Sequence, residues 1–236
     1  CRQATEGVLA ATVFASNCWA RVSPHYWGGL ELIPPRCSNA SKVLAQLNLS
    51  LRNKSEQYPD ALKAIFLLNN TLYLLQGLQR SGLLDVLALA EPDCEASYRE
   101  MIQEYKNNYL NSWNKLLSHT VLDEPLPAKL RDKDRQILKD KFSFNREWEE
   151  ITRAQRGYSV PDAELRESLK RDNKQALLPP YSAFYEAHAH LPFSKNPDKY
   201  VKYSPVQVSK NENKTRAQHV FFDFPPKLSV LKLLTI

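Results

Sequence analysis

Glycine is scarce in this sequence, with 6 residues among 236. Proteins built from many strands and tight turns need glycine wherever the backbone adopts a positive φ angle, so this scarcity argues against a turn-rich β fold. Leucine, alanine, glutamine, lysine and glutamate, which favour helices, are instead abundant. The composition therefore predicts an all-α protein.

Cysteine is also sparse, and no two cysteines form a CxxC pair. The four residues, Cys1, Cys18, Cys37 and Cys94, are too few and too widely spaced for a disulfide framework or a zinc site. We interpret them as reduced thiols of a cytosolic protein. Because the chain begins with cysteine and not methionine, we interpret it as a fragment.

Long uninterrupted hydrophobic runs are missing as well. The apolar stretch at residues 7–20 is too short to span a bilayer, and residues 219–236 are interrupted by Asp223, two prolines and two lysines. We therefore predict no transmembrane helix.

No catalytic constellation and no phosphate-cradling glycine loop occur in the sequence. The nearest approach to a metal site is His188 and His190 with Glu186. Histidines two apart in a helix point in different directions, so a surface or packing role is the better interpretation. We expect neither enzymatic activity, nor a metal, nor a cofactor.

Positive charge is in excess, with 32 lysines and arginines against 26 acidic residues and a pI of about 9.0. An anionic membrane and nucleic acid are both compatible partners. A secondary basic face is formed by Arg131, Lys133, Arg135, Lys139 and Lys141. Three aspartates dilute this face and no nucleic-acid motif accompanies it, so a solvated helix face explains it better than a nucleic-acid-binding module, which remains an alternative.

Helical periodicity begins at Ser41 and continues to Tyr203, where we expect antiparallel helix packing. The proline-containing loop at residues 122–128 suggests two sub-bundles, 41–120 and 129–203. We expect one helix from about Arg131 to Arg156, and a break or kink at Pro179 and Pro180. The predicted core residues are Phe66, Leu72, Tyr105, Trp113, Phe142 and Trp148. Residues 1–40 are too irregular for a fold prediction.

The clearest candidate site is a lysine-bearing segment near residue 200. Asn196 suits a helix N-cap and Pro197 suits the first helical position, which predicts a short helix that ends before Ser204. Such a helix would place Lys199 and Lys202 on one face, with Lys195 folding back toward the N–H groups of the helix start, where phosphate binds. From spacing alone, however, a solvated surface turn is the commoner outcome.

Four runs carry a resemblance to a known family: LNLSLRNKSEQYPDALKAIFLLNNTLYLLQGLQRSGLLDVL, KLRDKDRQILKDKF, YSVPDAELRESLKRD and PFSKNPDKYVKY. In this order they resemble the C-terminal half of the seventy-kilodalton exocyst subunit family over residues 39–203. The resemblance implies stacked antiparallel helical bundles at the end of an elongated rod. It also implies a cytoplasmic, non-catalytic exocyst subunit that is peripheral at the plasma membrane and tethers secretory vesicles.

The resemblance further implies a ligand and partners. Lys195, Lys199 and Lys202 stand where the family binds phosphatidylinositol 4,5-bisphosphate, and Asn196 would contribute as the helix cap. Other exocyst subunits, a Rho-family GTPase and an actin-nucleating complex are the implied partners. The alternative function is a helical scaffold or adaptor for such proteins without direct lipid binding. Residues 204–236 depart from the family's final amphipathic helix, and we expect them to form a disordered tail.

Overall fold

The computed structural model describes residues 34–209 except Asp123, Pro125 and Ala128, and side chains from Asn39 onward. The predicted all-α fold is confirmed, since this part of the chain contains helices and no strand. No helix within it is long and apolar enough to cross a membrane. The α-helices in the described ranges are α1 (Pro34–Ser55), α2 (Asp60–Arg80), α3 (Leu83–Ala88), α4 (Cys94–Asn111), α5 (Asn114–Leu117), α6 (Asp132–Lys141), α7 (Phe144–Gln155), α8 (Ala163–His188) and α9 (Pro205–Ser209).

The chain divides between Asn108 and Tyr109 into two compact units. This point lies within α4, and Tyr109 belongs to the second unit, where it hydrogen-bonds to Gln155 and Asn173. The domain bounds expected from the sequence stay predictions.

In the first unit, α2 packs against α1 and α3. Every residue of α2 from Ala64 to Thr71 is buried, so this stretch is enclosed on all faces, as its wide apolar pattern predicts. One amide in that stretch has a clear partner, since Asn70 Nδ2 donates to the Phe66 carbonyl at 2.7 Å. A second set of buried residues joins α2 to α3 and α4: Leu75, Leu78, Leu84, Leu87, Cys94 and Tyr98.

Two hydrophobic clusters lie among the described residues of the second unit. The first, here called the tryptophan cluster, consists of Trp113, Leu116, Phe144, Trp148, Leu177, Tyr181 and Val208. The second, called the phenylalanine cluster, consists of Leu130, Leu138, Phe142, Phe184 and Phe193. Helix α8 runs past both clusters, because it contributes Leu177 and Tyr181 to one and Phe184 to the other.

The single helix expected from Arg131 to Arg156 is wrong, because Phe142 and Ser143 separate α6 from α7. Phe142 belongs to the phenylalanine cluster and Phe144 to the tryptophan cluster, and both are 1% exposed. A continuous helix would point these two side chains to opposite sides, whereas the turn lets both rings pack on α8, Phe142 against Phe184 and Phe144 against Tyr181. The Ser143 side chain donates to the Asp140 carbonyl at this turn, which provides a partner at the end of α6.

Of the break or kink expected at Pro179 and Pro180, the break does not occur, because α8 continues through both prolines to His188. Proline removes the hydrogen bond to the carbonyl four residues earlier. Gln175 and Pro179 are exposed, so water can reach the carbonyl that Pro179 leaves without an intrahelical donor. Leu177 and Tyr181, both fully buried, hold the helix on either side of the prolines.

Five of the six predicted core residues are buried, and Leu72 is the exception because it is only half-buried.

The start of the expected disordered tail, at residue 204, is ordered and needs correction. Ser204 and Gln207 exchange hydrogen bonds, Ser204 N to Gln207 Oε1 at 2.8 Å and Gln207 N to Ser204 Oγ at 3.3 Å. This capping box starts α9 and brings Val208 into the tryptophan cluster. The remainder of the expected tail lies outside the described residues.

Candidate anion-binding surface

The lysine segment forms a single 3-10 turn, Pro197–Lys199, and the helix expected to extend to Tyr203 is wrong. A helix that continued through Tyr203 would have Ser204 N donating to the Tyr200 carbonyl, but Ser204 N donates to Gln207. The Tyr200 carbonyl instead accepts the Asn145 amide of α7. Lys202 therefore follows the turn in irregular backbone and does not share a helical face with Lys199.

Asn196 occupies the N-cap position, with Pro197 following it as predicted, but its side chain makes no capping hydrogen bond. The backbone N–H of Asn196 donates to Ser194 Oγ at 3.2 Å. The Asn196 side chain therefore does not cap this turn, and its contribution to ligand binding stays a prediction. A single turn also aligns too few peptide dipoles to create the positive helix end that the sequence suggested.

Aromatic residues fix the turn to the phenylalanine cluster. Phe193 is 1% exposed and stacks on Phe142 with ring centroids 5.0 Å apart and planes 9° apart. Tyr200 meets the edge of Phe193 at 5.9 Å and is partly buried. The backbone on both sides of the lysines is thus held by packing, and the exposed side chains of Lys195 and Lys199 extend from it.

Lys195 and Lys199 are exposed, and neither has an ion pair or side-chain hydrogen bond to any residue that the structure describes. Asp198 lies between them in sequence and is also exposed. Lys202 differs, because its Nζ is 3.0 Å from Glu149 Oε1 on α7. Among the described residues, the predicted site therefore contains two ammonium groups without a partner and one, Lys202, that is paired with Glu149.

The same oxygen of Glu149 also accepts a hydrogen bond from the Tyr203 hydroxyl at 3.0 Å. Burial raises the pKa of Tyr203, and the bond to Glu149 and its negative charge raise it further. At neutral pH the phenol therefore stays protonated and donates. The Tyr203 carbonyl accepts the Tyr181 hydroxyl of α8, which fixes the backbone beside Lys202.

A larger share of the side chains in the secondary basic face have partners than in the lysine turn, the name used here for Lys195, Lys199 and Lys202. Arg131 Nε lies 3.0 Å from Asp134 Oδ2, and Arg135 Nη1 lies 3.3 Å from Asp132 Oδ1. Lys141 donates to the Ser118 carbonyl at 3.1 Å. Only Lys133 and Lys139 of this face lack a partner among the described residues.

Of the two histidines considered as metal ligands, His190 is exposed and His188 makes other contacts. His188 Nδ1 lies 2.8 Å from the Phe184 carbonyl, and its ring packs against the Phe184 ring at 4.9 Å. In the described ranges, no group of three or more candidate ligands has the geometry to hold a metal ion.

Glu149 and Asn145 are residues of this surface that the sequence did not reveal. They lie one turn apart on α7, and their partners in the lysine segment are more than 50 positions away in the chain. No local spacing pattern encodes a contact across that separation. The pairing of a glutamate with Lys202 could be found only from the fold.

Comparison with known proteins gives the context of this surface. The family model for the C-terminal region of the Exo70 subunit, a component of the exocyst complex, matches residues 37–211. Exocyst complex component 7 of Drosophila melanogaster is 52% identical over 174 residues, which cover 71% of this chain and 25% of that protein. Exocyst complex component 7 of Homo sapiens is 40% identical over 174 residues, covering 71% of this chain and 24% of that protein.

A plant relative shows the same partial coverage. Exocyst complex component EXO70A1 of Arabidopsis thaliana is 34% identical over 181 residues, covering 72% of this chain and 28% of that protein. The chain thus spans about a quarter of the length of these relatives. The matched region includes the residues on which the resemblance rests and continues past Tyr203 into α9. The resemblance is confirmed, and the chain belongs to the Exo70 family of exocyst complex subunits, matching its C-terminal region.

Proposed function

We propose that this chain is part of a non-catalytic exocyst subunit that acts in exocytosis by tethering secretory vesicles to the plasma membrane. Family membership supports this role, together with relatives that are named exocyst complex components in an insect, a human and a plant. Other exocyst subunits are its partners, and the protein works in the cytoplasm and at the inner face of the plasma membrane.

The membrane contact in this proposal is the lysine turn, which binds phosphatidylinositol 4,5-bisphosphate. The observation that carries it is the exposure of Lys195 and Lys199, without acidic partners in the described structure, on a turn that Phe193 anchors in the core. A rigid base with free ammonium groups presents charge to a headgroup at little cost in backbone order. The secondary basic face has fewer such groups relative to its size.

The expected strength of this contact is modest. A lysine near an anionic leaflet contributes about 1 kcal/mol, so three contribute roughly 3 kcal/mol, or on the order of a hundredfold in affinity. The ion pair of Lys202 with Glu149 lowers that sum, because it must be broken first. Stable attachment therefore requires several subunits that grip one membrane together, where effective concentration multiplies weak contacts.

Vesicle sedimentation tests the proposal with two variants of equal charge change. One replaces Lys195, Lys199 and Lys202 by alanine, and the matched control replaces Lys133, Arg135 and Lys139. We expect the first variant to lose ten- to about a hundredfold in affinity for phosphatidylcholine vesicles containing phosphatidylinositol 4,5-bisphosphate. The control should lose much less, and both should keep the helical circular dichroism of the parent chain.

Near-original binding by the first variant would refute the lysine turn as the site. A large loss in the control variant would place the site on the secondary basic face instead. Salt provides a second readout, because exposed charges are screened over about 8 Å at physiological ionic strength, so added salt should weaken binding by the parent chain.

A further inference from the structure

Glu149 is an acidic group placed within the proposed lipid-binding surface itself. Its Oε1 atom lies 3.0 Å from Lys202 Nζ and 3.0 Å from the Tyr203 hydroxyl. The Lys202 side chain is 43% exposed and that of Glu149 is 32% exposed, so solvent and solutes reach the pair. A carboxylate oxygen and a phosphate oxygen accept hydrogen bonds from the same ammonium group, and they compete for it.

The surroundings allow Lys202 to exchange partners without refolding. The Tyr200 carbonyl is held by the Asn145 amide, and the Tyr203 carbonyl is held by the Tyr181 hydroxyl. These bonds fix the backbone on either side of Lys202, while the lysine has a flexible four-carbon stem. Release of the ammonium group therefore requires only side-chain rotation.

Glu149 also keeps a partner when Lys202 leaves. The Tyr203 hydroxyl is a donor to the same oxygen, and it comes from a residue packed against the tryptophan cluster. A partly buried carboxylate is costly when it loses every hydrogen bond. Because one donor remains, the cost of freeing Lys202 is limited to that of a partly exposed ion pair.

We propose that Glu149 is an internal competitor for the anionic headgroup, which holds Lys202 in the free chain and gives it up when a phosphorylated headgroup binds. This inference rests on the proposed function and adds to it a residue that sets the affinity of the surface. Glu149 weakens binding to sparsely charged membranes, because Lys202 leaves it only where a phosphate competes successfully. Lys195 and Lys199 make the first contact, and Lys202 joins them in the bound state.

Two neighbouring glutamates of α7 provide a matched test in the full chain. Glu149→Gln removes the charge that holds Lys202, while the amide oxygen can still accept from Tyr203. Glu150→Gln makes the same change in net charge at an exposed residue that has no ion pair with the described residues. We expect Glu149→Gln to bind vesicles of phosphatidylcholine with about 5% phosphatidylinositol 4,5-bisphosphate about two- to fivefold more tightly than Glu150→Gln, the range that a partly exposed ion pair supplies.

The same pair of substitutions in a Lys202→Ala background assigns the gain to Lys202. There the two glutamine variants should bind equally, since no ammonium group remains to be released. A gain that persists without Lys202, or no gain in its presence, would overturn the inference. Pure phosphatidylcholine vesicles should bind none of the variants.

The outcomes separate this inference from the proposed function. If the parent chain binds the phosphoinositide vesicles and Glu149→Gln binds no better than Glu150→Gln, the proposed function stands and the inference fails. If the parent chain does not bind but Glu149→Gln does, the competition is upheld and the proposed activity of the unmodified chain fails. If neither binds, both are refuted.

Discussion

At the scale of single residues, the second unit depends on a buried amide. Asn173 of α8 is fully buried, accepts a hydrogen bond from Trp113 Nε1 at 3.1 Å, and donates to the Tyr109 hydroxyl at 3.3 Å. The hydroxyl in turn donates to Gln155 Oε1 at 2.8 Å. Burial raises the pKa of Tyr109 far above its ordinary value, so this hydroxyl remains a donor across the accessible pH range. The network connects residues of α4, α7 and α8.

Replacement of Asn173 by alanine should lower the free energy of unfolding by about 1–3 kcal/mol, because it deletes two buried hydrogen bonds while Trp113 and Tyr109 stay buried. Urea unfolding followed by circular dichroism measures the change. Asn111→Ala at an exposed position of α4 is the control and should shift stability by less than about 0.5 kcal/mol. Equal effects of the two substitutions would contradict the role given to Asn173.

Asp134 provides a prediction that depends on pH. The Arg131 guanidinium, and then the Arg131 backbone N–H, hold the pKa of the Asp134 carboxyl below its usual value. A lowered pKa in the folded state means that the charged form stabilises the fold at pH values above about 4, and that this stability is lost as pH falls further. Asp134→Asn should therefore lower the melting temperature at pH 7, and the difference from the parent should shrink at pH 3.

Thermal melts at several pH values test this expectation. The exposed neighbour Asp132 pairs with Arg135 at the surface, so Asp132→Asn should change the melting temperature little. A difference between Asp134→Asn and the parent that stays constant from pH 7 to pH 3 would contradict the account.

At the scale of elements, the short helix α9 shows how a few side chains can place a segment that looks unstructured. The capping box of Ser204 and Gln207 starts the helix, and one apolar residue, Val208, holds it in the tryptophan cluster. Five residues are too few for a stable isolated helix, so tertiary packing must supply its stability.

Two valines in α9 test this dependence. Val208 is 4% exposed and Val206 is 59% exposed. Val208→Ala should cost about 1–3 kcal/mol of unfolding free energy, because it removes buried methyl groups and leaves a cavity. Val206→Ala should be almost neutral in the same urea unfolding experiment. A neutral Val208→Ala would mean that α9 does not contribute to the core.

Helix α8 gives the opposite test, in which removing a poor helix former should stabilise the protein. Pro179 is exposed and lies inside the helix, where proline is about 3 kcal/mol less favourable than alanine. The greater freedom of alanine in the unfolded chain offsets part of this difference. We expect Pro179→Ala to raise the free energy of unfolding by about 1–3 kcal/mol. Destabilisation by Pro179→Ala would show that the proline shapes a packed bend in α8.

The sequence predicts an element well when local residue patterns determine it, and poorly when contacts between distant residues determine it. The all-α fold and buried residues such as Phe66 and Trp113 follow from periodicity, because burial repeats along a helix. The break at Phe142 and Ser143 does not follow, since it depends on Phe142 and Phe144 both packing on α8, which no local pattern shows. The cap at Ser204 does have a local signature, S-x-x-Q with proline at the first helical position, which is readable without the fold.

In the lysine segment, too, local patterns predict some features and distant contacts determine the others. Its residues are recognisable from the sequence, and the turn at Pro197 is predicted in the right place. Its geometry is not predicted, because it depends on two distant donors. The Asn145 amide bonds to the Tyr200 carbonyl, and the Tyr181 hydroxyl bonds to the Tyr203 carbonyl. Partners so distant in the chain leave no trace in local spacing.

At the scale of the whole molecule, the proposed function concerns a protein of which this chain spans about a quarter of the length of its relatives. A net charge of +6 attracts the chain to an anionic leaflet without orienting it. Orientation must come from a local surface where ammonium groups are unpaired and the backbone is fixed. In the described structure the turn at Lys195 and Lys199 has both properties.

The most direct test of this account identifies the surface that touches lipid. A photoreactive amino acid is introduced at exposed Asn196 in the lysine turn, or at exposed Gln136 in the secondary basic face, and the protein is irradiated on vesicles containing phosphatidylinositol 4,5-bisphosphate. We expect lipid adducts at Asn196 and few at Gln136, because the lysine turn is the proposed contact with the membrane. Adducts at Gln136 with none at Asn196 would contradict it.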